Sequence, residues 1–450
     1  MLRIGTGAGF SADRLDPAVD LITRGNLDYI IFECIGERTL AFGHRDRMQD
    51  PNNGYNPLLA RRFRAILPLC QANQTKVITN MGVANPEAAA KRTKAIATEL
   101  GLANLNVAWV SGDDVSHLID DQTELLELGC TVGDLPQPLI GANAYIGMDA
   151  ICPALVAGAD IIITGRVADP SLFLAPMAHR YGWSSNDWQR LGSGTLIGHL
   201  LECAAQVTGG YFADPGFKDV SDLAYVGFPL AEVHEDGSAV ITKLPDTGGC
   251  VTLQTVKEQL LYEIHDPSAY STPDVVADFS TAQLSQQAPD RVAISGARGE
   301  RRPERLKVTV SFKGGYLAEG EISYAGPGAA NRAQLAGQII AERMRHVHQI
   351  EEDLRVDLIG VNALHRTALH KSAKEDSSPY QSTHEDVRLR VALRSLEREA
   401  GEVLLWEVES LLCCGPAGGG GFRGRLTPSV VTHSAFLARE QISTHFEVIS

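Results

Sequence analysis

The chain has 450 residues, 44% hydrophobic and 21% charged, with a formal net charge of −15. That length suits two domains rather than one core, and the acidic balance excludes nonspecific nucleic-acid binding, which draws on Lys and Arg to neutralise phosphates. No apolar run approaches the roughly 20 residues of a membrane span, and Met1-Leu2-Arg3-Ile4-Gly5 carries neither a secretory nor a transit signature, so the expected location is cytoplasmic.

Leu2 to Gly5 reads as a strand, followed by the loop Gly5-Thr6-Gly7-Ala8-Gly9-Phe10 and a helix opened by Asp16-Pro17. Glycines in such a loop let backbone amides approach phosphate, and Glu33, after the strand Tyr29 to Phe32, stands where a ribose-binding acid would. Phe10 occupies the place of the third glycine of a dinucleotide fingerprint and weighs against nicotinamide. An anion loop at Gly7, Ala8 and Gly9 for a carboxylate or CoA phosphate, or a plain turn, remains. Lys76 to Thr79 is the next strand and ends on Asn80; Asn85-Pro86-Glu87 then caps an Ala-rich helix. Val107 to Val110 ends on Ser111-Gly112-Asp113-Asp114, and Ile161 to Ile163 ends on Thr164-Gly165-Arg166.

Short branched apolar runs separated by helices predict an α/β fold: an N-terminal, mostly parallel sheet with helices on both faces. Ligands bind outside the carboxyl ends of such strands, where Asn80, Ser111, Asp113 and Arg166 gather. A (β/α) barrel would cluster the same residues. Asp113-Asp114 reads as a general base, a metal ligand with His117, or the cap of a helix near Ser116; no metal is expected. Arg166 either clamps a carboxylate or pairs with Asp169.

The run Gly198 to Gln206 reads as an apolar helix whose His199, Glu202, Cys203 and Gln206 share one face at offsets of three, four and seven. A polar stripe on so greasy a helix is buried, and it either lines a pocket or is satisfied by partners. His199 and Glu202 supply an acid and a base; Cys203 reads as an inert thiol.

After Phe217 the texture changes to a second, mixed α/β domain, giving domains 1–216 and 217–450. A hairpin turn at Val233 to Gly237 and strands at Ala239 to Thr242, Val251 to Leu253, Val292 to Ile294, Lys307 to Phe312 and Ile322 to Tyr324 are expected. So are a helix over Ala330 to Val347 and further strands at Leu354 to Val361, Arg388 to Leu393 and Leu404 to Leu412. His370 to Glu385 reads as an exposed loop, and Cys413-Cys414 as small core residues at a strand end. The eight cysteines include no C-x-x-C pair, which argues against a disulfide scaffold or structural zinc. Gly248-Gly249 and Gly418-Gly419 lie in glycine runs suited to close approach of a ligand or to a flexible lid.

The strings Thr164-Gly165-Arg166-Val167-Ala168-Asp169, Gly198-His199-Leu200-Leu201-Glu202-Cys203-Ala204-Ala205-Gln206, Asp246-Thr247-Gly248-Gly249, Ser323-Tyr324-Ala325-Gly326-Pro327-Gly328 and Gly415-Pro416-Ala417-Gly418-Gly419-Gly420-Gly421 together resemble the acyclic terpene utilisation (AtuA) family. The resemblance runs over nearly the whole chain and implies a place in the degradation of citronellol-like compounds through CoA thioesters. Longer members continue into a ferredoxin-like domain with an Arg-Ser-Gly-Asp-Lys-Gly motif. This chain resembles the short form, which implies a small, separately encoded ferredoxin-like partner protein and an oligomer.

The expected function is therefore a catabolic enzyme that adds or removes water, or shifts a double bond, in a short branched hydroxy or unsaturated acid or its CoA thioester, without a cofactor. His199 and Glu202 would move protons, Arg166 would hold the carboxylate or carbonyl, Asp169 would orient Arg166, and Asp113 is a spare base. Gly7, Ala8, Gly9, Asn80, Ser111, Gln206, Gly248, Gly249, Gly418 and Gly419 would contact substrate. A noncatalytic acyl-CoA- or partner-binding scaffold and an NAD(P)-dependent oxidoreductase are the alternatives.

Overall fold

Side chains alternate across a strand, and here each set enters a separate core. On one face Ile4, Ile31, Ile78, Ala108 and Ile162 meet Leu172, Phe173 and Met177 of the helix Asp169–Tyr181 and Leu196 and Leu200 of the helix Trp188–Glu202. On the other, Ile30, Phe32, Val77, Ile161 and Ile163 meet Leu21, Phe63, Ile66 and Ile96 from the helices Asp16–Arg24, Leu59–Asn73 and Pro86–Glu99. Each such side chain contributes about 1.5–3 kcal/mol on burial, which is why these strands read as unbroken apolar runs. The computed structural model describes residues 1–364 and 386–449; the segment His370 to Glu385 lies outside the described residues.

The large sheet has ten strands. Its centre is parallel and runs Leu2–Ala8, Tyr29–Phe32, Lys76–Thr79, Ile161–Ile163, Val107–Ser111. Beyond Leu2–Ala8 come four antiparallel strands, Pro229–Val233, Ala239–Lys243, Arg291–Ser295 and Gln283–Ala288; beyond Val107–Ser111 comes the antiparallel strand His445–Ile449. The sheet is open, which decides against the barrel. The parallel portion and its two helical layers are as the sequence predicts, and so is the hairpin at Val233 to Gly237.

The chain forms two compact units, residues 1–312 with 432–450, and residues 313–431. A boundary at 216 is expected from composition, yet the hairpin strands beyond it pair with Leu2 to Gly5 and so extend the first sheet. In the smaller unit, strand Asp386–Ser395 pairs with the distal half of the long strand Arg305–Ala325 on one side and with Leu354–Ile359 on the other, antiparallel to both. Helices Ala329–His346 and Arg398–Cys414 cover this sheet. The expected strand Leu404 to Leu412 lies inside the second of these helices. Its buried residues Ala400, Leu404, Val408 and Leu411 recur every three or four positions, the period of a helix rather than of a strand. Cys413 and Cys414 are consequently exposed at a helix end, not core residues. Val251 to Leu253 is likewise not a strand but the entry to the helix Leu253–Leu261, capped by Thr252.

Buried Asp274 braces the first unit: its carboxylate accepts from the Met148 amide at 2.8 Å and the Ser171 hydroxyl at 2.6 Å. Burial nevertheless pushes its pKa up from 3.8 to about 6. Between these values the folded protein binds more protons than the unfolded chain, so stability falls as pH rises from about 4 to about 6 and then levels off. Asp274→Asn keeps one acceptor for Met148 and offers a donor to the Ser171 oxygen, and it does not titrate. Relative to the native protein it is expected to gain about 2–3 kcal/mol between pH 4 and pH 7, read as urea-unfolding free energies at the two values. A constant difference would refute this.

Candidate active site

A cavity of about 520 Å³ opens at the carboxyl ends of the parallel strands, and every residue lining it belongs to the first unit. Gly9 reaches it from the loop after the first strand, Glu33, Ile35 and Glu37 from the turn after the second, and Arg166 and Asp169 from the turn after Ile161–Ile163. Glu202, Cys203 and Gln206 come from the end of the buried helix Trp188–Glu202 and the turn beyond it. Tyr145, Tyr211, Tyr262 and Glu263 complete the wall.

The helix ends at Glu202, one residue before Cys203, because Ala204 takes a left-handed φ of 45° and starts a short 3-10 turn through Gln206. Gln206 therefore reaches the cavity from a turn rather than from the expected helical face. His199 does not line the cavity. Its ring is buried between Tyr270 and Phe279, with centroids 5.5 and 5.8 Å away. Nε2 lies 3.0 Å from the Gln259 carbonyl, so Nε2 carries a hydrogen and donates it. Nδ1 lies 2.8 Å from Glu202 Oε1, and the tautomer logic leaves one shared proton between them. Glu202 Oε2 is enclosed and has no partner among the described residues. Burial outweighs the attraction of His199 and raises the Glu202 pKa to about 7, while Glu202 overcomes the effect of burial on His199 and raises its pKa. The two titrate as a pair.

Arg166 is fully buried and almost fully committed. Nε donates to the Val167 carbonyl at 2.7 Å and Nη1 to the Ile35 carbonyl at 2.8 Å, while Nη2 donates to both Val167 O and Asp169 Oδ1. Among the described residues four of its five N–H groups find acceptors, and one on Nη1 remains. The guanidinium also sits 4.5 Å from the centroid of the Tyr145 ring. The expected two-pronged grip on a substrate carboxylate is thus occupied by the protein itself. Asp169, at the start of its helix, keeps about a third of its side-chain surface open, with its pKa raised by burial against the pull of Arg166.

Glu33 accepts from the Ile35 amide at 2.7 Å and from Asn80 Nδ2 at 2.9 Å, and Asn80 Oδ1 in turn accepts from the Cys34 amide at 2.7 Å. Asn80 therefore holds Glu33 rather than lining the cavity. Burial and the nearby Asp169 carboxylate push the Glu33 pKa well above its ordinary value against the pull of Arg166. Glu37 behaves oppositely: burial works against its charge, but a 2.6 Å hydrogen bond from the Tyr145 hydroxyl, with Lys307 and Arg166 nearby, holds it at about 2. Cys203 has its thiol pKa raised by burial, which disfavours the thiolate.

Several expected contacts stand elsewhere. Asp113 is buried off the cavity and accepts from the Arg166 amide at 2.7 Å and Asn143 Nδ2 at 2.8 Å, so it braces the Arg166 turn. A Cβ on Gly165 would lie 2.3 Å from its carboxylate, which is why glycine precedes Arg166. Neighbouring Asp114 caps the short turn at Ser116, its Oδ1 accepting from the Ser116 amide at 3.2 Å. Ser111 pairs with His445 at the sheet's edge. Gly7 packs on the Phe32 ring, Ala8 is buried in the core, and the Gly9 amide donates to Asp13 at 2.9 Å, so this loop serves packing rather than presenting free donors. Gly248 and Gly249 lie against the backbones of Asp222 and Thr208, and Gly418 and Gly419 belong to the smaller unit. Glu37, Tyr145, Asp13, Tyr262 and Glu263 carried no signal of their own beyond following, or facing, a strand end.

Gly9 sets the reach of this wall. A Cβ there would lie 2.5 Å from the Cys203 carbonyl carbon and 2.8 Å from the Ala204 amide, both backbone. Gly9→Ala must displace the end of the helix that bears Glu202, and it is expected to cost about 1–3 kcal/mol of stability and to lower kcat more than it raises KM. An alanine variant with native melting and turnover would contradict that packing.

Among the described residues no helix is long and apolar enough to cross a membrane. No curated protein and no solved structure matches the chain. The model of the acyclic terpene utilisation family protein AtuA matches residues 2–448. The chain belongs to the acyclic terpene utilisation (AtuA) family, whose description implies a catabolic role in the use of acyclic terpenes.

Proposed function

We propose that this chain is an acid–base enzyme that adds or removes water, or shifts a double bond, beside the carbonyl of a short branched hydroxy or unsaturated acid or its CoA thioester. One observation carries the reading: Glu202, on the cavity wall, has its pKa raised to about 7, one oxygen bonded to a buried imidazole and the other without a partner among the described residues. A carboxyl poised near neutrality both takes and returns a proton at ordinary pH. His199 acts through Glu202 as a positioning residue. It holds the first proton in the Nδ1–Oε1 hydrogen bond, and the second is carried on Oε2, which must turn from its enclosed position toward the cavity to exchange it. In this reading the remaining N–H of Arg166 would meet the carbonyl oxygen and Asp169 the added water.

Proton abstraction next to a carbonyl exchanges that hydrogen with solvent even when the net reaction is unfavourable. The chain is incubated in D₂O with a panel of branched hydroxy and unsaturated acids and their CoA esters, with and without the small ferredoxin-like partner expected from the family, and products are followed by mass spectrometry. Deuterium uptake or water addition supports the reading. No exchange across the panel in either arm leaves the scaffold reading, which is favoured by the absence of His199 from the cavity wall.

A further inference from the structure

Among the described residues the cavity is lined by six carboxyl side chains, Asp13, Glu33, Glu37, Asp169, Glu202 and Glu263, and by one cation, Arg166. Glu33, Asp169 and Glu202 each lie near another of these carboxyls, and among the described residues Arg166 has one N–H to spare, too few for the paired bonds that recognise a carboxylate. A free carboxylate brought here adds charge among acids that burial and one another already resist ionising, whereas a neutral carbonyl needs only one donor.

A second cavity, of about 290 Å³, shares two walls with the first, Tyr145 and Asp169. Its character is different. Among the described residues Arg305 and Lys307 are the cations on its wall, alongside Pro170, Pro273 and Pro303, and Asp169 is its one acid. Both cations are held in place: Arg305 Nη2 donates to the Phe436 carbonyl at 3.0 Å, with its guanidinium 5.4 Å from the Phe436 ring centroid. Lys307 Nζ lies 5.0 Å from the Tyr145 ring centroid and 3.3 Å from Glu37. Tyr145 thus divides an acidic chamber from one with basic side chains at its edge.

Resting on the acid–base reading above, we infer that the substrate presents an uncharged thioester carbonyl to Glu202 and carries its negative charge on a phosphate-bearing tail, held past Tyr145 by Arg305 and Lys307. Of the free acid and the thioester, the charge distribution selects the thioester. The acyl group enters the first chamber, the flexible chain crosses beside Tyr145 and Asp169, and the phosphates meet Arg305 and Lys307 beyond Tyr145, where Lys307 already offsets the charge of Glu37.

Binding is measured by calorimetry on the full chain, with Glu202 intact, at about pH 8 and low salt. The probes are isovaleryl-CoA, isovaleryl-pantetheine, which lacks the phosphates, and free isovalerate. Isovaleryl-CoA is expected to bind about a hundredfold tighter than isovalerate and about tenfold tighter than the pantetheine ester. Arg305→Gln/Lys307→Gln should erase the second difference and leave the pantetheine ester unchanged; the single Arg305→Gln, at an exposed side chain, should erase part of it without touching the Lys307–Glu37 contact. Isovalerate binding as tightly as the CoA ester, no measurable binding of the CoA ester, or a double variant that binds it like the native protein would each overturn the inference. The outcome is separable from the proposed reaction. The expected binding pattern without deuterium exchange on any thioester removes the reaction and keeps the substrate class, while exchange on free acids that depends on Glu202 does the reverse.

Discussion

Glu202→Gln is expected to fold normally and to lower turnover by about two to four orders of magnitude, the usual contribution of a positioned acid or base. The substitution keeps shape and hydrogen bonding. Because His199 Nε2 donates to the Gln259 carbonyl, Nδ1 of the neutral ring is an acceptor, and the new amide can donate to it. What disappears is the titrating proton. The native pH profile should show an apparent pKa near 7 belonging to the Glu202–His199 pair, and the variant profile should be flat there. His199→Gln tests the positioning role: kcat should fall less than in Glu202→Gln, and the inflection should move because the partner that holds the first proton is gone. Native turnover in Glu202→Gln would end the acid–base reading, whatever the fold.

Arg166→Met is expected to cost about 3–5 kcal/mol of folding free energy, the range for breaking a buried charge from its partners. The side chain is fully buried, and its removal strands the Val167 and Ile35 carbonyls and the Asp169 carboxylate. Asp169 would then face the neighbouring acids with no cation beside it. Arg166→Met/Asp169→Asn should recover part of the loss, and the recovery in a double-mutant cycle measures the pair. Denaturant unfolding of the four proteins supplies the numbers. A loss in Arg166→Met below about 1 kcal/mol would show that these bonds contribute little to stability.

The helix bearing His199 and Glu202 was legible because a polar stripe amid Leu196, Leu200, Leu201 and Ala204 has to be buried, and burial of all of Leu191 to Glu202 follows. Which stripe residue meets the cavity was not legible. A helical wheel gives a common face but not what lies against it, and Tyr270 and Phe279, which cover His199, come from about seventy to eighty residues further along. The glycines after the first strand misled in a similar way. A loop that cradles an anion and a loop pressed on Phe32 and Cys203 both require small residues, so composition cannot separate them. At Leu404 to Leu412 the error was one of period: the segment suggests a strand until Ala400 is included, and Ala400, Leu404, Val408 and Leu411 then fall three or four positions apart.

The sequence by itself determined the family, the parallel α/β framework and the strand ends where polar groups collect, since these follow from local periodicity and from residues adjacent in the chain. Only the tertiary structure decided that Arg166 is spent on the protein's own carbonyls, that Asp113 braces rather than reacts, and that Glu33, Glu37, Tyr145 and Glu202 surround one space. Those outcomes depend on which distant groups compete for the same donors and on how much water is excluded around each carboxyl. Neither quantity exists until the strands and helices have packed.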